Sequence, residues 1–252
     1  MRVVVCLGVL SLVALFVGLG RLDWTDAREA RDAWIAHDLI LHRELLTPSI
    51  GGVPRFEKPL FAYALEVAGG ALTPGSPAGP RALKSALAVL LVLLTTAIGM
   101  RGLGARAGAI AGAVLATSLA LPIAARSDGT QLLATTLGWS AWAGLAPIAL
   151  GRRSRARLLA YLALAVTFMV GGPFPTAWPL LAVLLHARGN RSAGRPRFGP
   201  VAGLLIVLGL GLPWYGAMLE RHGLPFALAM PAFPYGGEPG APWLTAPARM
   251  VG

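Results

Sequence analysis

Long apolar runs dominate the sequence and limit what the chain can fold into. A transmembrane helix needs about 20 mostly apolar residues to cross a bilayer core. Runs of about that length lie near residues 3–20, 83–100, 107–125, 131–150, 158–172, 174–187 and 200–218. Only 13% of the residues are charged, against about 25% in soluble domains. We therefore expect an all-α, polytopic membrane protein with about seven transmembrane helices. No small-x-small cleavage site follows the first run, which we interpret as a retained helix.

Basic residues are concentrated on one side of this predicted topology. If the N-terminus is cytoplasmic, the inner loops contain eleven arginines and no acidic residue, namely Arg2, Arg101, Arg106, Arg152, Arg153, Arg155, Arg157, Arg188, Arg191, Arg195 and Arg197. This distribution satisfies the positive-inside rule and accounts for the net charge of +11. A nucleic-acid-binding protein would instead cluster its basic residues on a soluble face. We expect membrane lipids, and no nucleic acid, as partners.

All eleven acidic residues fall on the other side, most of them in a first extracytoplasmic loop at residues 21–82. Within this loop, the apolar run 60–72 carries Glu66 and is short for a crossing, so we expect it to be interfacial or re-entrant. Within the spans, Gly108 to Gly112 and Gly199 to Gly203 have the small-xxx-small spacing that lets helices approach closely, which predicts a packing role. Further along, Gly171-Gly172-Pro173 favours a tight turn between helices, with a broken transporter-type helix as the alternative.

The first loop contains the pattern of an amphipathic helix. Asp26 has the position of an N-cap, and Glu29 follows it in capping-box spacing. The positions that recur at helical intervals are Ala30, Ala33, Trp34, His37 and Leu41. We expect this helix to lie on the outer membrane surface. In the structural alternative, Asp26 and Glu29 only stabilise the helix N-terminus.

Two further places combine charge with the membrane boundary. In Phe56-Glu57-Lys58-Pro59, the ammonium can hold a lipid phosphate and the carboxylate can accept sugar hydroxyls. The structural alternative for this pair is snorkelling at the interface. Asp128 lies at the outer end of a span, either beside these groups or as the cap of the helix that begins near Thr130.

These motifs occur in an order that resembles a known family. The segments are Glu29-Ala30-Arg31, Ala36-His37-Asp38, Thr47-Pro48, Phe56-Glu57-Lys58-Pro59, Ala125-Arg126-Ser127-Asp128 and Leu212-Pro213-Trp214-Tyr215. They are similar to motifs of the bacterial aminoarabinose transferase and dolichyl-phosphate-mannose-protein mannosyltransferase-like family, within the GT-C superfamily of membrane glycosyltransferases. On this resemblance, residues 1–220 form the transmembrane module with a second loop at 126–130. Residues 221–252 form a Pro- and Gly-rich extracytoplasmic tail, which is a candidate truncation point.

The resemblance implies an inverting glycosyltransferase of the bacterial inner membrane. It would move a sugar from a polyprenyl-phosphate donor to a lipid, protein or glycan acceptor on the outer face. The implied catalytic acids are Glu29 or Asp26, together with Asp128. The implied donor contacts are Glu57, Lys58 and Arg126. A divalent metal, Mg²⁺ or Mn²⁺, would be bound by Glu29 and Asp128.

The sequence departs from the family pattern in ways that favour a second hypothesis. Arg28 stands where many members have Asp, and Gly171-Gly172-Pro173 lacks the usual lysine. Family members are also longer than these 252 residues. The second hypothesis is a truncated, non-catalytic module that binds a polyprenyl phosphate or depends on a partner subunit. A third, a small transporter, is disfavoured because no internal repeat and no mid-span acid is evident.

Overall fold

The fold is built almost entirely from helices, as expected. The computed structural model describes residues 2–21, 23–24, 26–44, 46–127, 129–149, 156–189 and 200–230. The helices are α1 Arg2–Phe16, α2 Ala27–His42, α3 Ala64–Leu72, α4 Ala78–Gly102, α5 Ala105–Ala116, α6 Ala120–Ala125, α7 Thr130–Ala149, α8 Arg157–Gly171, α9 Pro173–Gly189, α10 Pro200–His222 and α11 Leu224–Ala229. A small antiparallel hairpin, β1 Ser49–Ile50 and β2 Val53–Pro54, adds strands that the sequence did not predict.

Each of the seven apolar runs contains helix in the described part of the chain. Two helices, Ala78–Gly102 and Val201–His222, are long and apolar enough to cross a membrane by length and composition. The run 107–125 differs from its prediction, because α5 ends at Ala116 and α6 begins at Ala120. The Ser118 hydroxyl accepts a hydrogen bond from the Ala120 amide at 3.1 Å. Pro122 then falls in the first turn of α6, where its missing N–H costs no helical bond.

Glycines set the closest helix contacts. Gly108 and Gly112 of α5 are buried against α4, and a Cβ at Gly112 would overlap the Thr96 hydroxyl. The packing role predicted from their spacing is therefore confirmed. Gly203 of α10 packs in the same way on the Tyr161 ring, whereas its spacing partner Gly199 lies outside the described residues.

The Gly171-Gly172-Pro173 segment is a tight turn, as predicted. Helix α8 ends at Gly171 and α9 begins at Pro173. Between them, Gly172 has φ 76° and donates its amide to the Phe168 carbonyl at 2.8 Å. A positive φ is favourable mainly for glycine, so Gly172 reverses the chain in a single residue.

Helix α3 packs closely on α4 next to the first loop. A 3-10 turn, Leu60–Tyr63, precedes α3, and Glu66 of α3 is buried. The two backbones meet where Gly69 faces Gly79 and Pro80, since a Cβ at Gly69 would overlap the Pro80 backbone. This contact fixes Glu66 relative to the N-terminal end of α4.

Gly69→Ala tests this contact. We expect it to destabilise the fold by about 1–3 kcal/mol, because the added methyl must push α3 away from the Pro80 backbone. Gly70→Ala is the matched control, since a Cβ there meets nothing within 4 Å. Thermal unfolding of the detergent-solubilised proteins, followed by tryptophan fluorescence, measures both. Equal melting temperatures for the two variants would contradict the packing.

Candidate functional site

Helix α2 buries most of its acids and exposes several of its apolar positions. Asp26 caps it as predicted, accepting the Arg28 amide at 2.8 Å. Glu29 and Asp32 are buried, whereas the side chains of Trp34 and Leu41 are 57% and 63% exposed. Trp34, His37 and Leu41 of the predicted pattern are therefore exposed, whereas Ile35 and Leu39 of the same helix pack against Tyr63 in the core. The buried acids point to a polar interior beneath the helix.

Glu29 forms an enclosed ion pair with Arg81. The Arg81 guanidinium donates to its two carboxylate oxygens at 3.0 and 2.8 Å. Arg81 also donates to the carbonyls of Leu19 and Asp23 at 3.1 and 2.9 Å. A general base must come within about 2.6–3.2 Å of a substrate proton. Glu29 is 0% exposed and offers no surface to such a substrate in this state.

Lys84 lies one turn after Arg81 and binds a second buried acid. Its ammonium is 2.8 Å from Glu66 and 3.5 Å from Glu29. Burial raises the pKa of the Glu66 carboxyl, and the charge of Lys84 opposes that shift. Lys84 also donates to the Ser127 carbonyl at 2.7 Å. The second loop is thereby tied to the acids of the first, although Asp128 itself lies outside the described residues.

Lys58 forms the shortest ion pair of the site. Its ammonium donates to the Asp32 carboxylate at 2.6 Å, and both side chains are 1% exposed. Because Lys58 is buried, the snorkelling alternative is wrong for it. Glu57, its neighbour, is 3.0 Å from Arg31 and 3.7 Å from Arg55, whose side chain is 43% exposed. The pair predicted from sequence is present, but each member has its own partner of opposite charge.

Arg126 and the end of the first loop make other contacts. Arg126 donates to the carbonyls of Pro122 and Val17. Trp214 of α10 donates to the Leu46 carbonyl at 2.9 Å, so the Leu-Pro-Trp-Tyr segment anchors the loop on α10. The exposed pair of Arg221 with Glu44 adds a contact, and hydrogen bonding by Arg221 lowers the pKa of the Glu44 carboxyl.

The site contains two groups of ion pairs, one around Lys58 and one around Arg81 and Lys84, that we together call the ion-pair cluster. Its cations are Arg31, Arg55, Lys58, Arg81 and Lys84, and its anions are Glu29, Asp32, Glu57 and Glu66. Five cations against four anions leave one positive charge. Such an arrangement suits an anionic ligand, above all a phosphate.

Sequence reasoning missed Asp32, Arg81 and Lys84. A signal was available, because Arg81 and Lys84 are three residues apart at the start of a long apolar run. Residues at that spacing share a helix face, and charges beside a bilayer pair with opposite charges in the protein interior. The two cations therefore predict acidic partners on other elements. These partners are Glu29 of α2 and Glu66 of α3.

The metal predicted between Glu29 and Asp128 does not fit the contacts of Glu29. Both of its carboxylate oxygens already accept hydrogen bonds from Arg81. Among the residues that the structure describes, no group of three His, Cys, Asp or Glu side chains could hold a metal ion.

The chain is similar to a named membrane transferase. Over 199 residues, 74% of this chain, it is 32% identical to undecaprenyl phosphate-alpha-4-amino-4-deoxy-L-arabinose arabinosyl transferase 2 of Pseudomonas fluorescens, and it covers 33% of that protein. Its fold is similar to two crystal structures of ArnT from Cupriavidus metallidurans. The apo structure gives TM-score 0.70 at 22% identity, covering 98% of this chain and 47% of ArnT.

The second ArnT structure is bound to undecaprenyl phosphate and gives TM-score 0.70 at 23% identity, covering 92% of this chain and 43% of ArnT. No family model matches the chain. The resemblance to the aminoarabinose transferases is thus confirmed in sequence and in fold. The chain spans about a third of the length of the curated relative and less than half of the solved structures.

Glu29→Gln tests the enclosed pair with Arg81. We expect a loss of at least about 3 kcal/mol in the free energy of unfolding, because Arg81 would keep a buried charge with one partner removed. Glu44→Gln is the matched control, since it removes the acid of an exposed pair with Arg221. Denaturant titration of both variants measures the difference. A Glu29→Gln midpoint as close to wild type as that of Glu44→Gln would argue against the pair as a structural anchor.

Proposed function

We propose that this chain, a relative of the aminoarabinose transferases of the GT-C superfamily, binds a polyprenyl-phosphate-linked sugar and transfers the sugar to an acceptor. The observation that carries the proposal is buried Lys58 inside the ion-pair cluster. It supplies a cation at the motif expected to contact the donor phosphate. The donor class is supported by the name of the Pseudomonas relative and by the undecaprenyl phosphate bound to ArnT.

The proposed setting is the inner membrane of a bacterium, crossed by seven spans. The spans are α1, α4, the α5–α6 pair, α7, α8, α9 and α10, with α2 and α3 on the outer side. The eleven arginines of the inner loops support this orientation. Outward leucines and valines support lipid contact, and the apolar side of α2, with Trp34 and Leu41, suits the membrane interface.

In the proposed reaction, the acceptor hydroxyl attacks the anomeric carbon of the sugar. Its proton passes to a carboxylate, while the bond from that carbon to the phosphate oxygen breaks and its electron pair leaves with the polyprenyl phosphate. Lys58 stabilises the negative charge that develops on the leaving phosphate. Because Glu29 is enclosed, accessibility supports half-exposed Asp26 as the base. The second-loop motif keeps Asp128 as the other candidate. Glu29 would hold Arg81, and Glu57 would contact sugar hydroxyls.

A second candidate is a non-catalytic or partner-dependent module. One observation favours it, namely Arg28 in place of the usual Asp. Such a module keeps the phosphate site at Lys58 and needs a partner subunit for transfer, or performs none. The two candidates therefore agree on binding and differ on turnover.

Binding of undecaprenyl phosphate to the chain in nanodiscs tests both candidates. We expect Lys58→Ala to weaken binding at least about tenfold, the lower end of what a hydrogen bond between charged groups contributes. Arg221→Ala, which removes an exposed cation outside the cluster, should bind like wild type. Absence of wild-type binding would contradict both candidates.

Sugar transfer by the purified chain distinguishes the transferase from the partner-dependent module. We expect transfer from undecaprenyl phosphate-linked 4-amino-4-deoxy-L-arabinose to a lipid acceptor, detected by mass spectrometry, with loss of transfer in Asp128→Asn. Binding without transfer by the wild type would support the partner-dependent module. Full transfer by Asp128→Asn would remove Asp128 from the mechanism.

A further inference from the structure

The pair of Lys58 with Asp32 lies where the proposed function needs an open phosphate site. The Lys58 ammonium and the Asp32 carboxylate are 2.6 Å apart, and each side chain is 1% exposed. Asp32 lies one turn after Glu29 on the inner side of α2. A phosphate that contacts Lys58 must therefore approach an ammonium that a carboxylate already neutralises.

Asp32 also lies near a second cation, which is farther away than Lys58. The Tyr63 ring lies 5.9 Å from the ammonium, and the Arg31 guanidinium is 3.9 Å from the other oxygen of Asp32. Arg31 is itself shared with Glu57 at 3.0 Å. A buried ammonium is costly without a close anion, and a second anion added to the same ammonium would meet the charge of Asp32. The Lys58 ammonium is therefore most stable when it contacts one anion at a time.

We propose that Asp32 holds the place of the donor phosphate, and that the phosphate displaces Asp32 from Lys58 when the donor binds. This inference rests on the function proposed above. The donor phosphodiester carries one negative charge, so the exchange leaves Lys58 neutralised. After transfer, the leaving phosphate monoester carries about −1.5 to −2 charges and binds Lys58 more strongly than the donor did. Competition from Asp32 for the ammonium opposes this stronger binding and so assists release of the spent lipid.

Asp32 is a positioning residue in this exchange and not the base. Inversion places the base and the leaving group on opposite faces of the sugar. A carboxylate hydrogen-bonded to the ammonium that holds the phosphate lies on the side of the leaving group. Asp32 therefore acts through Lys58, by setting how readily the ammonium accepts and releases a phosphate.

Asp32→Asn distinguishes exchange from a purely structural role. The asparagine keeps the shape and an oxygen acceptor but removes the competing charge. We expect undecaprenyl phosphate to bind this variant roughly tenfold more tightly than wild type, because the phosphate no longer has to break a hydrogen bond between charged groups. Binding that is unchanged or weaker would show that Asp32 only supports the fold, and would overturn the exchange.

The control is Asp38→Asn, which removes the same charge from the same helix. Asp38 is 5% exposed and accepts the Gly51 amide. The Asp38→Asn variant should bind undecaprenyl phosphate like wild type. If both variants bound it more tightly by the same factor, the lost negative charge alone would explain the effect, and the exchange would be overturned. If the wild type did not bind undecaprenyl phosphate, the proposed function would be overturned. If the wild type bound it, Lys58→Ala lost binding and Asp32→Asn bound no more tightly, only the exchange would be overturned.

Unfolding of Asp32→Asn on extraction would itself be informative. The exchange predicts that undecaprenyl phosphate present during extraction restores the folded protein, because its phosphate supplies the missing anion for Lys58. The uncharged alcohol undecaprenol should not restore it. Equal rescue by both lipids, or rescue by neither, would contradict the exchange.

Discussion

The fold around the site depends on one buried ion pair, that of Arg81 with Glu29. Through it, α4 holds the N-terminal half of α2 and the carbonyls of Leu19 and Asp23, which follow α1. Burying these charges is costly, and removing one partner leaves the other uncompensated. The position of α2 is consequently fixed at Glu29, and with it the position of Asp32 one turn later.

The pairs formed by Lys84 and Lys58 lie beside this ion pair and complete the ion-pair cluster. Lys84 joins Glu29 to Glu66 and to the second loop through the Ser127 carbonyl. Lys58 enters from the Phe-Glu-Lys-Pro segment and meets Asp32. Because Arg81, Lys84 and Lys58 each meet an acid on another element, these pairs couple the first loop to α3 and α4. A phosphate arriving at Lys58 would therefore act on a preorganised network.

Much of the fold could be predicted from sequence, because apolar run length, caps and glycines are local signals. The helix start at Asp26, the turn at Gly172 and the packing of Gly108 were all of this kind. Partner choice within the cluster could not be predicted, since Arg81 and Glu29 are 52 positions apart and only the tertiary fold decides which acid a buried cation meets. For the same reason, the sequence predicted different roles for Glu57 and Lys58 but could not predict that they pair with different residues.

In the proposed exchange, Lys58 releases Asp32 and binds a lipid phosphate in its place. The most direct measurement is a structure of the chain in a lipid nanodisc with undecaprenyl phosphate bound. We expect a phosphate oxygen within hydrogen-bonding distance of the Lys58 ammonium and an Asp32 carboxylate that has moved away from it. A phosphate bound elsewhere, with the Lys58–Asp32 contact still at 2.6 Å, would overturn the exchange.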